Sequence, residues 1–430
     1  MNVLRTNNTI DKVRQLQRKL YQSAKINKAR KFHALYDKLY REDILYRGWS
    51  QVKANKGSAG IDEQTIEDIE SYGIDRLILE IQEELKEGKY NPPPVLRVYI
   101  PKDDGKKRPL GIPTVKDRII QSAMKIVIEA VFEADFKDCS YGFRPKRNQH
   151  QALEVIRKAC NNNGNYVLDA DIKGYFDNIN HDKLMILVEK RISDKRICKL
   201  IKKWLKSGVM VDGSIKPGEL GSPQGGVISP LLANIYLDYL DTVWERYYSH
   251  LGKLIRFADD FVIVCKNYKD VNNAFSAIRL IMNRLELNLN LEKTKIVNLW
   301  DGKEGFIFLG FETRKVKMKR VNGTKYYATE QWICKKAKQN IQSKVKEALK
   351  NSTLYQDIEV VIKRLNLKIV GWRNYYGISP VRTLLKIDKF ILTRLVIWYN
   401  KKRQSRKLYK YYELAKLFRD LGLKRVTFAS

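Results

Sequence analysis

Leu254-Ile255-Arg256-Phe257-Ala258-Asp259-Asp260-Phe261-Val262-Ile263-Val264 sets two apolar, β-rich runs on either side of a paired carboxylate. The pattern predicts a hairpin with Asp259 and Asp260 at its tip. Two adjacent like charges cost free energy unless something positive neutralises them. A divalent cation is the usual neutraliser, and two-metal sites for phosphoryl transfer are built from such carboxylates. The competing reading is an ordinary solvated turn, because Asp is a common turn residue.

A second acid-terminated run lies upstream. Tyr166-Val167-Leu168-Asp169-Ala170-Asp171-Ile172 reads as a short strand, followed by a turn through Lys173-Gly174-Tyr175-Phe176-Asp177. A helix then follows, with Leu184, Leu187, Val188 and Ile192 on one face. If the two strands are neighbours in one sheet, Asp171, Asp259 and Asp260 converge at one edge. Such a trio suits two Mg²⁺ ions, which take oxygen ligands and keep positions for substrate phosphates. This is the layout of a palm-type polymerase.

Further blocks occur in a fixed order along the chain. They are Val98-Tyr99-Ile100-Pro101-Lys102 through Pro109-Leu110-Gly111-Ile112-Pro113, Ser140-Tyr141-Gly142-Phe143-Arg144-Pro145, the Asp171 run, and Gly221-Ser222-Pro223-Gln224-Gly225-Gly226 through Ala233-Asn234. After the Asp-Asp pair come Leu291-Glu292-Lys293-Thr294-Lys295, Phe308-Leu309-Gly310-Phe311 and Gly371-Trp372-Arg373-Asn374-Tyr375-Tyr376. The ordered set resembles the reverse transcriptases encoded by group II introns, also called maturases. Phe257 stands where that family more often has Tyr, and the family's C-terminal endonuclease module is not seen.

The resemblance implies an α+β right-hand polymerase. Fingers and a palm with an antiparallel sheet would be followed by an α-helical thumb or maturase domain. The expected division is 1–85 for a basic helical extension and first fingers block, 86–315 for fingers and palm, and 316–430 for the thumb. The implied activity is RNA-directed DNA polymerisation, with binding of intron RNA to assist its splicing and mobility. Two other readings are an intron-independent enzyme of defence or repair and a non-catalytic RNA-binding splicing cofactor. The partners implied are structured intron RNA, an RNA template with a DNA primer, and dNTPs, acting on a monomer or dimer. The expected setting is the cytoplasm, in association with nucleic acid.

Residue by residue, the resemblance makes Asp171, Asp259 and Asp260 catalytic and ligands of two Mg²⁺, with the Ile172 carbonyl as a further ligand. Asp169 and Asp177 are not assigned to metal. Lys102 and Arg108 flank a hairpin turn and would both reach one triphosphate, Arg by a bidentate fork and Lys as a point charge; Lys106 and Lys107 are rivals for that role. Phe176, five residues after Asp171, would clash with a ribose 2′-hydroxyl, and its competing reading is a core aromatic. Gln224 resembles a nucleotide contact. Lys295 resembles a further active-site lysine and reads equally as a surface charge.

Composition agrees with a polyanionic partner. The 430 residues carry 82 Lys+Arg against 48 Asp+Glu, a net charge of +34. Residues 335–430 hold 24 basic and 6 acidic residues, an excess of 18; residues 1–50 hold 12 and 4, an excess of 8. Five scattered cysteines and four histidines form no zinc-ligand spacing, and no run is long and apolar enough to span a membrane. Met1 to about Gly48 reads as basic helix, Leu287–Leu291 as a strand, Asp270 as a helix cap, and Ser379-Pro380 as a helix start. Trp372, Tyr375 and Tyr376 read as thumb core or as a base-stacking surface, with the core favoured.

Overall fold

The computed structural model describes residues 2–101, 105, 107–211, 214–216, 221, 225–404 and 410–428, so Lys102, Lys106 and Gln224 lie outside the described residues. Two compact units result: residues 1–148, 170–263 and 269–295 form one, and 149–169, 264–268 and 296–430 the other.

The chain opens with α1 (Asn2–Ile26), α2 (Tyr36–Leu39), α3 (Glu42–Asn55), α4 (Ile66–Tyr72) and α5 (Ile74–Lys86). The expected continuous basic helix is broken between Ile26 and Tyr36. Long-range backbone pairing is the reason. Phe32 donates to the Arg191 carbonyl at 2.8 Å and accepts from Ser193 at 2.9 Å, while the Asp194 carboxylate takes the N–H groups of Leu35 and Tyr36. Extended backbone held this way cannot also make helical bonds.

Strands β1 (Val95–Pro101) and β2 (Lys107–Ile112) form an antiparallel hairpin in which Ile100 faces Arg108 and Pro101 faces Lys107. Helix α6 (Val115–Glu133) is started by Thr114, whose hydroxyl accepts from Asp117 N–H at 3.1 Å, and is buried on almost every side. After it come α7 (Gln149–Asn161), β3 (Tyr166–Ala170), a 3₁₀ turn at Tyr175–Asn178, α8 (His181–Glu189) and α9 (Lys195–Lys206). The short strands β4 (Val209–Val211) and β5 (Ser214–Lys216) precede α10 (Ser229–Val243). The hairpin β6 (Lys253–Phe257) and β7 (Asp260–Cys265) follows, then α11 (Tyr268–Arg284) and β8 (Lys295–Asn298). One sheet has the order β2-β1-β4-β5 and another β6-β7-β3-β8. The second order makes the two acid-bearing strands neighbours.

A third sheet is β9 (Gly305–Phe308), β10 (Phe311–Lys319) and β11 (Lys325–Ile333), ordered β11-β10-β9. Helices α12 (Lys335–Ala348), α13 (Ile358–Tyr376), α14 (Val381–Arg403) and α15 (Tyr411–Asp420) complete the chain's elements. Their apolar faces meet around Val345, Leu365, Leu395, Trp398 and Phe418, and Trp372 and Tyr376 pack against this core. Tyr375 stacks on Phe311 with ring centroids 5.9 Å apart and donates its hydroxyl to the Leu309 carbonyl. These aromatics therefore pack within the second unit, as the favoured reading had it.

Three local expectations are corrected. Leu287–Leu291 is not a strand but a single antiparallel bridge, Leu289 to Ile172, followed by a turn in which the Asn290 carbonyl accepts from Lys293 and Thr294. Ser379 does not cap α14; its hydroxyl accepts from Ile333 N–H at 3.1 Å, and Pro380 takes the cap position. Asp270 lies inside the first turn of α11 and not before it, where its charge still suits the helix dipole.

Candidate active site

The site side chains described here belong to the first unit. The β6–β7 hairpin turns through Ala258 and Asp259 alone. Ala258 has φ 59°, a left-handed conformation rare for a residue with a Cβ and of order 1–3 kcal/mol in cost. That strain persists only where the surroundings over-determine it, and here they do. Arg256 is fully buried. It donates to the Ala258 carbonyl at 2.8 Å, to Asn234 Oδ1 at 3.0 Å, and through Nε and Nη2 to both oxygens of the equally buried Asp241. Asn234 in turn donates to the Gly142 carbonyl at 2.9 Å. Burial alone would lower the Arg256 guanidinium; the Asp241 carboxylate more than offsets this and holds it above its ordinary value. Gly142 presses on the tip so closely that a Cβ there would lie 2.4 Å from the Ala258 nitrogen.

Asp259 is half-buried at this tip, and Asp260, exposed, opens β7. The Asp259 carboxyl is raised above the ordinary carboxylate range, first by burial and then by the Asp171 charge, while Arg108 and Arg256 pull it down. Asp171 follows β3 directly, so strand adjacency brings it and Asp259 within electrostatic reach. Its carboxylate accepts from Asn290 Nδ2 at 3.2 Å and faces Lys293 Nζ at 3.3 Å. The Leu289 bridge is made by the Asp171 carbonyl and the Lys173 N–H, so the Ile172 carbonyl takes no part in it.

No three His, Cys, Asp or Glu side chains form a metal cage among the described residues. The donors present nonetheless fit a hard cation. They are all oxygen, their like charges are close enough to oppose ionisation of Asp259, and magnesium is held by one or two carboxylates plus substrate oxygens and not by a closed protein cage.

The other expected residues fall as follows. Arg108 sits on β2, and its charge reaches Asp259. Phe176 is half-buried, edge-to-face with Tyr175 at 5.3 Å; Tyr175 is the core aromatic, its hydroxyl on the Ala233 carbonyl at 2.5 Å. Lys295 is exposed at the start of β8, whereas the lysine paired with Asp171 is Lys293. Gly221 and Gly225, the described residues on either side of Gln224 in sequence, each lie against backbone. A Cβ at Gly221 would lie 2.8 Å from the Phe176 carbonyl oxygen, and one at Gly225 would lie 2.5 Å from that of Gly111. Both glycines have positive φ, 88° and 120°, so only glycine fits without strain.

Arg256, Asp241, Asn290 and Lys293 escaped the sequence reading as functional groups. Arg256 alone left a signal: a charge inside the otherwise apolar Leu254–Ala258 run, where an unpaired cation would be costly to bury.

Comparison with known proteins gives the family of the chain. The reverse transcriptase (RNA-dependent DNA polymerase) family matches residues 100–313, and the group II intron maturase-specific domain matches 338–418. Protein YkfC of Escherichia coli is 39% identical over 277 residues, covering 55% of this chain and 71% of its own length. The group II intron-encoded protein LtrA of Lactococcus lactis is 42% identical over 213 residues, which is 49% of this chain and 35% of LtrA. The chain therefore spans about a third of LtrA. Among solved structures, a partial Cas6-RT-Cas1–Cas2 complex matches with TM-score 0.37 and 25% identity, covering 58% of this chain and 42% of that one. The chain belongs to the group II intron reverse transcriptase and maturase family, with a polymerase domain of mixed α/β structure followed by a helical maturase domain. No described helix is long and apolar enough to cross a membrane.

Proposed function

We propose that this chain is an RNA-directed DNA polymerase that also binds group II intron RNA and assists its splicing and mobility. The observation that carries the reading is the meeting of Asp171 and Asp259 on neighbouring strands, with the Arg108 charge beside them, in a chain that has both domains in series. In this reading residues 1–85 and 86–315 form the extension, fingers and palm, and 316–430 the thumb.

Asp171, Asp259, Asp260 and the Ile172 carbonyl would hold two Mg²⁺, which when bound lower the pKa of a primer 3′-hydroxyl and offset charge on the leaving pyrophosphate. The protein's own work is positioning. The Arg256 network fixes the hairpin tip, so Asp259 meets its ligand without reorganising. Lys293 and Asn290 hold the Asp171 carboxylate in place. Arg108, on β2, grips the triphosphate by a charge-assisted fork, and Lys102 adds a point charge as the family resemblance implies. Phe176 excludes a 2′-hydroxyl by bulk, Gln224 contacts the nucleotide, and Lys295 serves as a further cation.

Primer extension by the purified chain on an RNA template with dNTPs and Mg²⁺ tests the reading. Wild type should extend, and Asp259→Asn should abolish extension while RNA affinity stays nearly intact. Unchanged extension by that variant would remove the metal assignment. Asp171→Ala should lose cDNA synthesis yet still speed splicing, at low Mg²⁺, of the RNA flanking its own coding sequence, since the intron supplies that chemistry. If wild type extends primers but speeds no splicing, the intron-independent enzyme replaces the maturase; if it splices but never extends, the non-catalytic cofactor does.

A further inference from the structure

Helix α9, Lys195-Arg196-Ile197-Cys198-Lys199-Leu200-Ile201-Lys202-Lys203-Trp204-Leu205-Lys206, contains six basic residues and no acid. Its apolar residues Ile197, Leu200, Ile201, Trp204 and Leu205 are buried. The burial sets the helix rotation, and Lys195, Lys199, Lys202 and Lys206 fall at i, i+4, i+7 and i+11 along one exposed stripe. At 1.5 Å per residue the stripe is about 16 Å long.

The stripe does not face open solvent as an ordinary charged helix face does. With Lys203 it lines an open cleft of about 640 Å³ whose opposite wall includes Pro92 and Pro94. Proline has no N–H and a fixed φ, so these two residues stiffen the lining and add no backbone donor to it. Neutralisation is slight. Glu189 is the acid on the lining and pairs only with Lys202, at 3.5 Å between two half-exposed side chains. Lys203 donates to the Tyr90 carbonyl at 2.8 Å. Among the described residues, Lys195, Lys199 and Lys206 have no acid within ion-pair distance.

Four like charges along one helix face repel one another, a cost repaid when a polyanion releases its counterions on binding. A small anion would meet only one or two of these ammonium groups. A nucleic-acid backbone repeats its phosphate at every nucleotide, so the stripe can meet several in succession. Lysines present point charges on flexible stems and carry no base-reading geometry.

We propose that the α9 cleft is a docking surface for the sugar–phosphate backbone of folded RNA, separate from the catalytic carboxylates. It rests on the proposed function only in taking RNA as the polyanion. Grip here is by charge and shape, so any compact RNA serves as probe.

The test is binding of unfractionated tRNA across a KCl series, without dNTPs, by wild type, a Lys195→Gln/Lys199→Gln/Lys206→Gln variant and the matching Lys→Arg variant. The Gln variant should lose about tenfold or more in affinity, with the slope of log K against log salt shallower by roughly three. The Arg variant should bind as wild type does, and extension of a short primer–template duplex should be unchanged in both. Wild-type affinity and slope in the Gln variant would overturn the proposal. So would a matching loss in the Arg variant, or a parallel loss of short-duplex extension, which would place the stripe on the primer–template track. Binding is read without catalysis, so a chain that never extends a primer defeats the polymerase reading and leaves this test standing.

Discussion

Two hairpins of the first unit carry residues assigned to the same reaction, and they are built in opposite ways. In β6–β7 almost every residue between Leu254 and Cys265 outside the tip is buried, and the strained Ala258 is held by a buried guanidinium. In β1–β2 the burial fades toward the turn: Val95 is buried, whereas Val98, Tyr99 and Ile100 are exposed. The carboxylates thus stand on a platform complete before substrate arrives, and Arg108 stands on one whose outer half is exposed among the described residues. The difference follows from the work each does. Charge stabilisation in a transition state needs groups that do not reorganise. Gripping a triphosphate needs charge within reach, and the substrate supplies the missing packing.

The contrast breaks most severely at Arg256. Arg256→Ala leaves Asp241 buried and unpaired and the Ala258 carbonyl without its donor, so unfolding free energy should drop by about 3–5 kcal/mol. Urea unfolding measures the drop, and the rate at saturating dNTP should fall with it. A variant of wild-type stability that still extends at full rate would show the buried network to be dispensable.

Arg108→Gln probes the open hairpin. The residue is on β2 and packs no core, so unfolding should change little. Loss of one charge-assisted contact to the triphosphate should raise the KM for dNTP about 10- to 100-fold with a smaller change in kcat. Steady-state extension separates the two; a lowered kcat at unchanged KM would make Arg108 part of the fixed platform.

Phe176→Ala is the mildest change, since its ring is half-buried and Tyr175 carries the local packing. Discrimination against rNTP should relax by roughly tenfold while dNTP extension persists. Extension with rNTPs replacing dNTPs measures it, and wild-type rejection of rNTPs would move the sugar contact elsewhere.

Much of this site can be read along the chain. The apolar runs on either side of Asp259 and Asp260 mark a hairpin, the run ending at Asp171 marks a further strand, and the charged stretch before Arg108 marks a second hairpin, because each signal is local. The misreadings share one cause. The helix expected through Gly48 stops where Phe32 pairs with backbone 160 residues away, the Leu287–Leu291 strand shrinks to a bridge because Asn290 turns back, and Ser379 leaves its cap position to serve Ile333. In each case a backbone or hydroxyl group has a remote partner that no pattern in its own neighbourhood announces.

By itself the sequence determined the chemistry on offer: three acids at strand ends, glycines where backbones touch, a surplus of cations, and the order of blocks that marks the family. Only the tertiary structure decided which of these groups act on one another. It put Asp171 beside Asp259 and Lys293, closed Arg256 on Asp241 and Ala258, and turned the lysines of α9 toward a proline wall. The physical reason is that Coulomb energies and hydrogen bonds depend on separation in space and on local solvation. Both are set when strands and helices pack, not by spacing along the chain.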